Sequence, residues 1–141
     1  MLIQKMLSST FSKQLRKIER KKIYMVFGFR GKRDKSKRIK MVKVASTYCR
    51  QFILTLDDIN GESKTVVEEE LYNLTKPFTN GEVIMDRTMA IKKMWEIGGS
   101  GDWIFVIGKG HENYQDIFHL QTKNDIETIQ YLIEWEKGED R

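Results

Sequence analysis

The sequence has one cysteine, one proline and two histidines, and each scarcity removes a class of protein. A single thiol, Cys49, allows neither an internal disulfide framework nor a cysteine zinc cluster. His111 and His119 are too few for a histidine-rich metal site. One proline, Pro77, and ten glycines in 141 residues are not the composition of a linker or a disordered chain. No apolar run approaches the ~20 residues that a bilayer-spanning helix needs. The opening residues also lack the charged-then-apolar layout of a secretory signal. These absences set the expectation of a cytoplasmic protein with no membrane partner and no metal ligands. Residues 1–141 fit one domain near the commonest domain size, and a 40% apolar share suffices for one core.

Charge is present in quantity and is unevenly spread. The formal net charge is +5, and 14 Lys/Arg stand against Glu19 and Asp34 between Lys13 and Lys43. From Asp57 to Glu70 the balance turns acidic. A basic block of this kind attracts nucleic acid, acidic lipid or phosphorylated small molecules, or forms a solvated helix face and a charged loop. The block alone does not choose between these.

The apolar pattern alternates between two periods. Leu7, Phe11, Leu15 and Ile18 mark one face of an amphipathic helix, with N-cap candidates from Ser8 to Thr10. Residues 23–27 read as a buried strand stopped by Gly28. From about Lys35 to Arg50, Val42, Ala45 and Cys49 mark a second helix, and residues 52–56 the next strand. Val67, Leu71 and Leu74 carry a third helix closed by Pro77. A brief strand is expected over 82–85, then a helix holding Ala90, Ile91, Met94 and Trp95. Residues 103–107 read as a strongly apolar central strand, and 117–120 as a short strand after a turn. The last helix is expected over about 124–136, with Ile126, Ile129 and Ile133 on its inner face. The fold class expected is α/β: a single Rossmann-like domain, its sheet mostly parallel with one antiparallel strand near the C-terminus, and helices on both faces.

In such sheets ligands bind beyond the carboxyl ends of the strands. That rule selects residues 28–38, 57–60 and 108–115, all polar or glycine-rich, and their convergence on one edge is the reason to expect a site there. In the first stretch, Gly28, Gly31, Lys37 and Arg38 are candidate anion-binding residues, since glycines expose N–H groups ahead of a helix N-terminus. Arg33 offers a bidentate grip on a carboxylate or phosphate. A merely solvated loop remains the alternative. No Gly-x4-Gly-Lys-Ser/Thr pattern occurs anywhere in the chain, so this is not a P-loop. In the third stretch Glu112 can hold a substrate ammonium. His111 is either a general base or a hydrogen-bonded structural residue.

Four stretches together resemble the C-terminal domain of the Mur ligases, most of all the muramyl-tripeptide synthetases. That family pattern runs Gly-x-Gly-Gly-x-Arg-Asp-Lys-Gly-Lys-Arg-Pro, Asp-Asn-Pro-Arg, Asp-Arg-x-x-Ala-Ile and Gly-Lys-Gly-His-Glu-x-Tyr-Gln. The matching residues here are 28–39, 57–60, 86–91 and 108–115, in the same order and spacing, and the similarity extends from about Phe11 onward. The resemblance implies that Arg33 contacts the incoming amino acid, and that Gly108 and Glu112 hold its distal amino group. Asp58 and Asn60 fall where the family's Asn and Arg bind the distal carboxylate of diaminopimelate. It also implies a ligase of peptidoglycan precursor synthesis, in which ATP and Mg2+ activate a carboxylate as an acyl phosphate and the amine attacks it.

The departures are equally specific. Arg30 and Ser36 replace loop glycines, Ile39 replaces the proline, and Asp-Asn-Pro-Arg has become Asp57-Asp58-Ile59-Asn60. The family's Asp-Tyr-Ala-His hinge is not visible in residues 1–10, and the central ATP-binding and N-terminal uridine-nucleotide domains are expected to be absent. Positions 58 and 60 together change from net +1 (Asn, Arg) to net −1 (Asp, Asn). A lysine- or ornithine-like acceptor is therefore expected in preference to diaminopimelate.

The resulting expectation is an acceptor-amino-acid-binding domain that carries no catalytic residue, binds no cofactor by itself and is inactive as an isolated chain. A separate ATP-binding ligase chain is the partner this implies. The first alternative is a non-catalytic remnant serving as a protein-interaction module. The second is a nucleic-acid-binding module, which the lack of aromatics interleaved with the basic residues disfavours.

Overall fold

Strand β1 (Ile23–Phe27) is buried along its whole length. Alternation sends Ile23, Met25 and Phe27 to one side of the sheet and Tyr24 and Val26 to the other. Both sides are apolar, so the strand needs cover on both faces. The computed structural model supplies it and describes residues 23–31 and 34–139. The helix expected around Leu7 to Ile18 lies outside them.

Strand β2 (Gln51–Leu54) repeats the pattern, with Phe52 and Leu54 opposed to Ile53. It pairs in parallel with β1, Val26 opposite Ile53. On its other side β1 pairs in parallel with β4 (Trp103–Val106), Met25 opposite Phe105. Strand β3 (Gly81–Val83) lies beside β2, giving the order β3-β2-β1-β4, parallel throughout. Helices α1 (Arg38–Tyr48) and α2 (Lys64–Thr75) cover one face through Val42, Ala45, Val67 and Leu71. Helices α3 (Arg87–Ile97) and α4 (Asp125–Glu139) cover the other through Ala90, Ile91, Met94 and Leu132. Cys49, just past α1, is fully buried and packs as a small core residue. Among the described residues no helix is long and apolar enough to cross a membrane.

Three expectations need correcting. No antiparallel strand forms over 117–120. Ile117 is 91% exposed, Phe118 packs edge-on against Tyr114, and the N–H groups of His119 and Leu120 donate to Asp86 Oδ2 and Thr88 Oγ1. Those two acceptors at the start of α3 satisfy donors that would otherwise need a strand partner. Second, β4 is an edge strand among the described residues, with Trp103 more than half exposed and stacked on Phe105. An apolar run alone cannot tell a central strand from an edge strand that packs on one face. Third, α4 is turned by about one residue: Asp125, Thr128 and Leu132 face inward, while Ile126 and Ile133 are exposed. A buried polar network, described next, sets that rotation.

Candidate functional site

The strand order reverses between β1 and β4. Loops leaving these neighbours run to opposite sides, which opens a crevice at the carboxyl edge of the sheet, the usual ligand position in doubly wound folds. Residues 28–31 leave β1 at this edge, residues 55–60 leave β2, and residues 107–115 leave β4.

The first two loops are locked together at the backbone. Gly31 N–H donates to Asp58 O at 2.7 Å, and Asn60 Nδ2 donates to Gly31 O at 3.1 Å. Asn60 sits in the left-handed region (φ 50°), which asparagine tolerates better than most residues. A Cβ on Gly28 would lie 2.3 Å from Thr55 O, and one on Gly31 1.9 Å from Ile59 O. Arg38 is buried, donates to Glu70 Oε1 (2.6 Å) and to Arg30 O (3.0 Å), and lies over the Phe29 ring. Of the candidate anion-binding set, Gly31 N–H and the Arg38 guanidinium are thus engaged within the protein, and Lys37 is exposed at the start of α1. Arg33 lies outside the described residues.

The third loop is bolted to the second by Lys109. Its ammonium is buried, 2.6 Å from Asp58 Oδ1 and 4.0 Å from Asp57 Oδ1, and donates to Asn113 O at 3.3 Å. The Asp58 contact is an ion pair whose angle lies outside hydrogen-bonding geometry. Asp57 Oδ1 accepts the Asp58 N–H. Asp58 is therefore paired, and the charge argument built on a free carboxylate there loses its premise. Gly108 has a φ of +125°, and a Cβ on it would lie 2.9 Å from Asp57 Oδ2. Glu112 reaches the crevice half exposed, where its carboxylate accepts from Arg30 Nη2 at 2.5 Å. His111 is exposed on the same loop.

Beneath the loops lies a buried network that the motif reading did not interpret. Arg87 is fully buried, with Nε and Nη2 on the two carboxylate oxygens of Asp125, both at 2.8 Å. The same guanidinium donates to Leu56 O (3.3 Å) and Ile107 O (2.9 Å), the chain just past β2 and β4. Burial by itself would lower the proton affinity of Arg87. The Asp125 hydrogen bonds and the Asp125, Asp57 and Tyr114 charges outweigh it, and the net shift is upward. Tyr114 OH donates to Asp125 Oδ1 at 2.7 Å and meets Thr128 Oγ1 at 3.0 Å. The sequence signal was the Asp86-Arg87 pair, where Asp86 also caps α3 by accepting Met89 N–H.

This network carries a pH prediction. Burial pushes the Tyr114 hydroxyl well above its ordinary value; the Thr128 hydrogen bond opposes this, and the Asp125 hydrogen bond and charge add to it. A proton held more tightly in the folded state stabilises the fold fully below the unfolded phenol value. That contribution is lost as pH rises from about 10 toward the folded value. Denaturation midpoints measured across about pH 8–12 should therefore fall more steeply for the native sequence than for Tyr114→Phe. Parallel slopes would show that Tyr114 does not contribute.

Among the described residues no cluster of three or more His, Cys, Asp or Glu could hold a metal ion, and Asp58 faces an ammonium. These three loops thus meet at the carboxyl edge of a doubly wound α/β domain. The chain belongs to the family described as Mur ligase, glutamate ligase domain, whose model matches residues 9–110. It is similar to the UDP-N-acetylmuramoyl-L-alanyl-D-glutamate–2,6-diaminopimelate ligase of Aquifex aeolicus, 36% identical over 72% of this chain and 21% of that protein. The ligase of the same name from Lactiplantibacillus plantarum is 39% identical over 69% of this chain and 20% of its own length. A solved structure of a ligase with this name superimposes with a TM-score of 0.71 at 28% identity, covering 96% of this chain and 27% of that one. The chain thus spans about a fifth of the length of the two relatives.

Proposed function

We propose that the chain binds the acceptor amino acid of a Mur ligase of peptidoglycan precursor synthesis, and that ligation needs an ATP-binding region outside it. The observation carrying this is Glu112: a half-exposed carboxylate in the same loop as Gly108, after β4, where the strand order reverses. A carboxylate there suits the ammonium of a diamino acid. The relatives, by their names, join an amino acid to a muramoyl dipeptide. Arg33 remains the proposed contact to the amino acid, and a cytoplasmic location accompanies this reading. Asp58 and Asn60 shape the crevice from within, because both are held by the protein's own groups. The lysine or ornithine preference loses the support it drew from Asp58.

One observation favours the remnant reading: Arg30 on Glu112 and Lys109 on Asp58 occupy both carboxylates. Two of the block's described cations are engaged within the protein, Arg38 being buried and Lys35 directed to Glu62 and Glu70, so they add nothing to a nucleic-acid surface. A phosphate-release assay with precursor, ATP and amino acid should show no turnover by the chain alone. Calorimetric titration with diamino acids should show binding; its complete absence favours the remnant. Turnover that persists through purification and vanishes in Arg33→Ala would overturn the claim that another region is needed.

A further inference from the structure

Lys109 is a buried cation whose two ends both act on the loop that carries Glu112. Its main-chain oxygen accepts the Glu112 N–H at 2.8 Å, closing a four-residue turn over 109–112. Gly110, second in that turn, lies in the left-handed region at φ 55°, which glycine adopts without strain. The Lys109 ammonium then reaches past the turn and donates to Asn113 O, the carbonyl just after Glu112. One residue thus holds the main chain on both sides of Glu112. Asn124 Nδ2 also approaches His111 O, but at 3.5 Å, longer than a usual N–H···O bond.

The anchor for the ammonium lies on a different loop. Asp58 Oδ1 stands 2.6 Å away and Asp57 Oδ1 4.0 Å away, and the Lys109 side chain is 2% exposed. Position 58 departs from the resembled pattern, which has asparagine there, and the carboxylate of this chain faces Lys109. A buried ion pair adds little net stability compared with apolar packing of the same volume. It does fix geometry, since each buried charge must keep its partner. Beyond its exposed pair with Arg30, the placement of Glu112 rests on its main chain.

We propose that Lys109 is a positioning residue: anchored on Asp58 and Asp57, it sets where the Glu112 carboxylate stands. The loop after β2 thereby governs a group on the loop after β4, and Asp58 acts through Lys109 rather than on the acceptor. This rests on the amino-acid-binding reading above, in which Glu112 takes an ammonium.

Two measurements on the full chain test it, using Lys109→Met, Lys109→Arg and Asp58→Asn. Amide hydrogen exchange followed by NMR reads the turn without any ligand. The Glu112 amide should exchange about tenfold faster in Lys109→Met, and by part of that in Asp58→Asn. A merely structural role would instead speed strand-end amides such as Thr55, bonded to Phe27 O, and leave Glu112 as it was. Calorimetric titration with lysine then measures coupling to Glu112. Glu112→Gln should weaken binding about tenfold to a hundredfold in the native background, the size of one charged hydrogen-bond partner, and clearly less in Asp58→Asn. Lys109→Arg, which keeps the cation, should retain more of the Glu112 effect than Lys109→Met. Where Lys109→Met fails to fold, Asp58→Asn, which leaves Lys109 with Asp57, carries the test. Unchanged exchange at Glu112, or additive losses in the double variant, overturns the role of Lys109. If lysine fails to bind, or Glu112→Gln has no effect in the native background, the amino-acid-binding reading falls. Exchange at Glu112 then still decides whether Lys109 sets the turn.

Discussion

Replacing Arg87 by methionine is expected to destabilise the fold by about 3–5 kcal/mol, the usual result of removing one partner of a buried ion pair. The guanidinium is fully buried, and its loss leaves the Asp125 carboxylate inside the protein with only Tyr114 OH as a neutral donor. It also strips the Arg87 donor from the buried carbonyls of Leu56 and Ile107. Equilibrium denaturation with urea gives the number. The double variant Arg87→Met, Asp125→Leu separates the causes. If the orphaned charge dominates, the second substitution should recover a sizeable share of the loss. If the double variant is no better than the single one, the two carbonyls and the Tyr114 contact carry the stability instead. A loss below about 1 kcal/mol for Arg87→Met would show that the network is not what holds these loops.

The second large effect is expected at Gly31. A methyl group there would lie 1.9 Å from Ile59 O and 2.5 Å from Ile59 C, and both atoms are main chain. Neither can swing aside as a side-chain tip can. One loop must move away from the other, breaking Gly31 N–H to Asp58 O and Asn60 Nδ2 to Gly31 O as it goes. Gly31→Ala should cost at or beyond the upper end of the ~1–3 kcal/mol typical of forced overpacking. Gly138→Ala provides the control: nothing lies within 4 Å of its added methyl, and alanine is the better helix former, so that variant should be neutral or slightly stabilised. Comparable destabilisation of the two variants would remove the steric explanation.

The sheet was legible because its strands announce themselves. Residues 23–27 and 52–54 are apolar at every position, which only a sheet covered on both faces requires. The carboxyl-edge rule then placed the three loops correctly on one side. What composition could not show is where polar groups go when they are buried. Arg87 and Lys109 look like surface residues in a one-dimensional reading, yet both are enclosed, because each meets a carboxylate distant in sequence: Asp125 in one case and Asp58 in the other. That pairing also defeated the apolar pattern of α4. Asp125 and Thr128 are drawn inward to Arg87 and Tyr114, and two isoleucines turn outward as the helix rotates to suit. The turn over 117–120 failed for a related reason, since its N–H groups found Asp86 and Thr88 instead of a neighbouring strand. At the site, a chain of motifs identified the loops, but a motif treats each side chain as available. Asp58 and Asn60 are not, and Arg30, read as a departure, proved to be the residue facing Glu112.

The guanidinium of Arg87 grips the chain just past β2 and just past β4 at once, from inside the core. The floor of the crevice therefore has no inexpensive way to breathe. Separating those two segments exposes a buried charge pair, so local opening there approaches the free energy of global unfolding. Freedom to move is left to the layer above, to the exposed side chains of Arg30 and Glu112. The crevice has a fixed floor, and what adjusts at this edge does so by rotation of side chains rather than by parting of the loops.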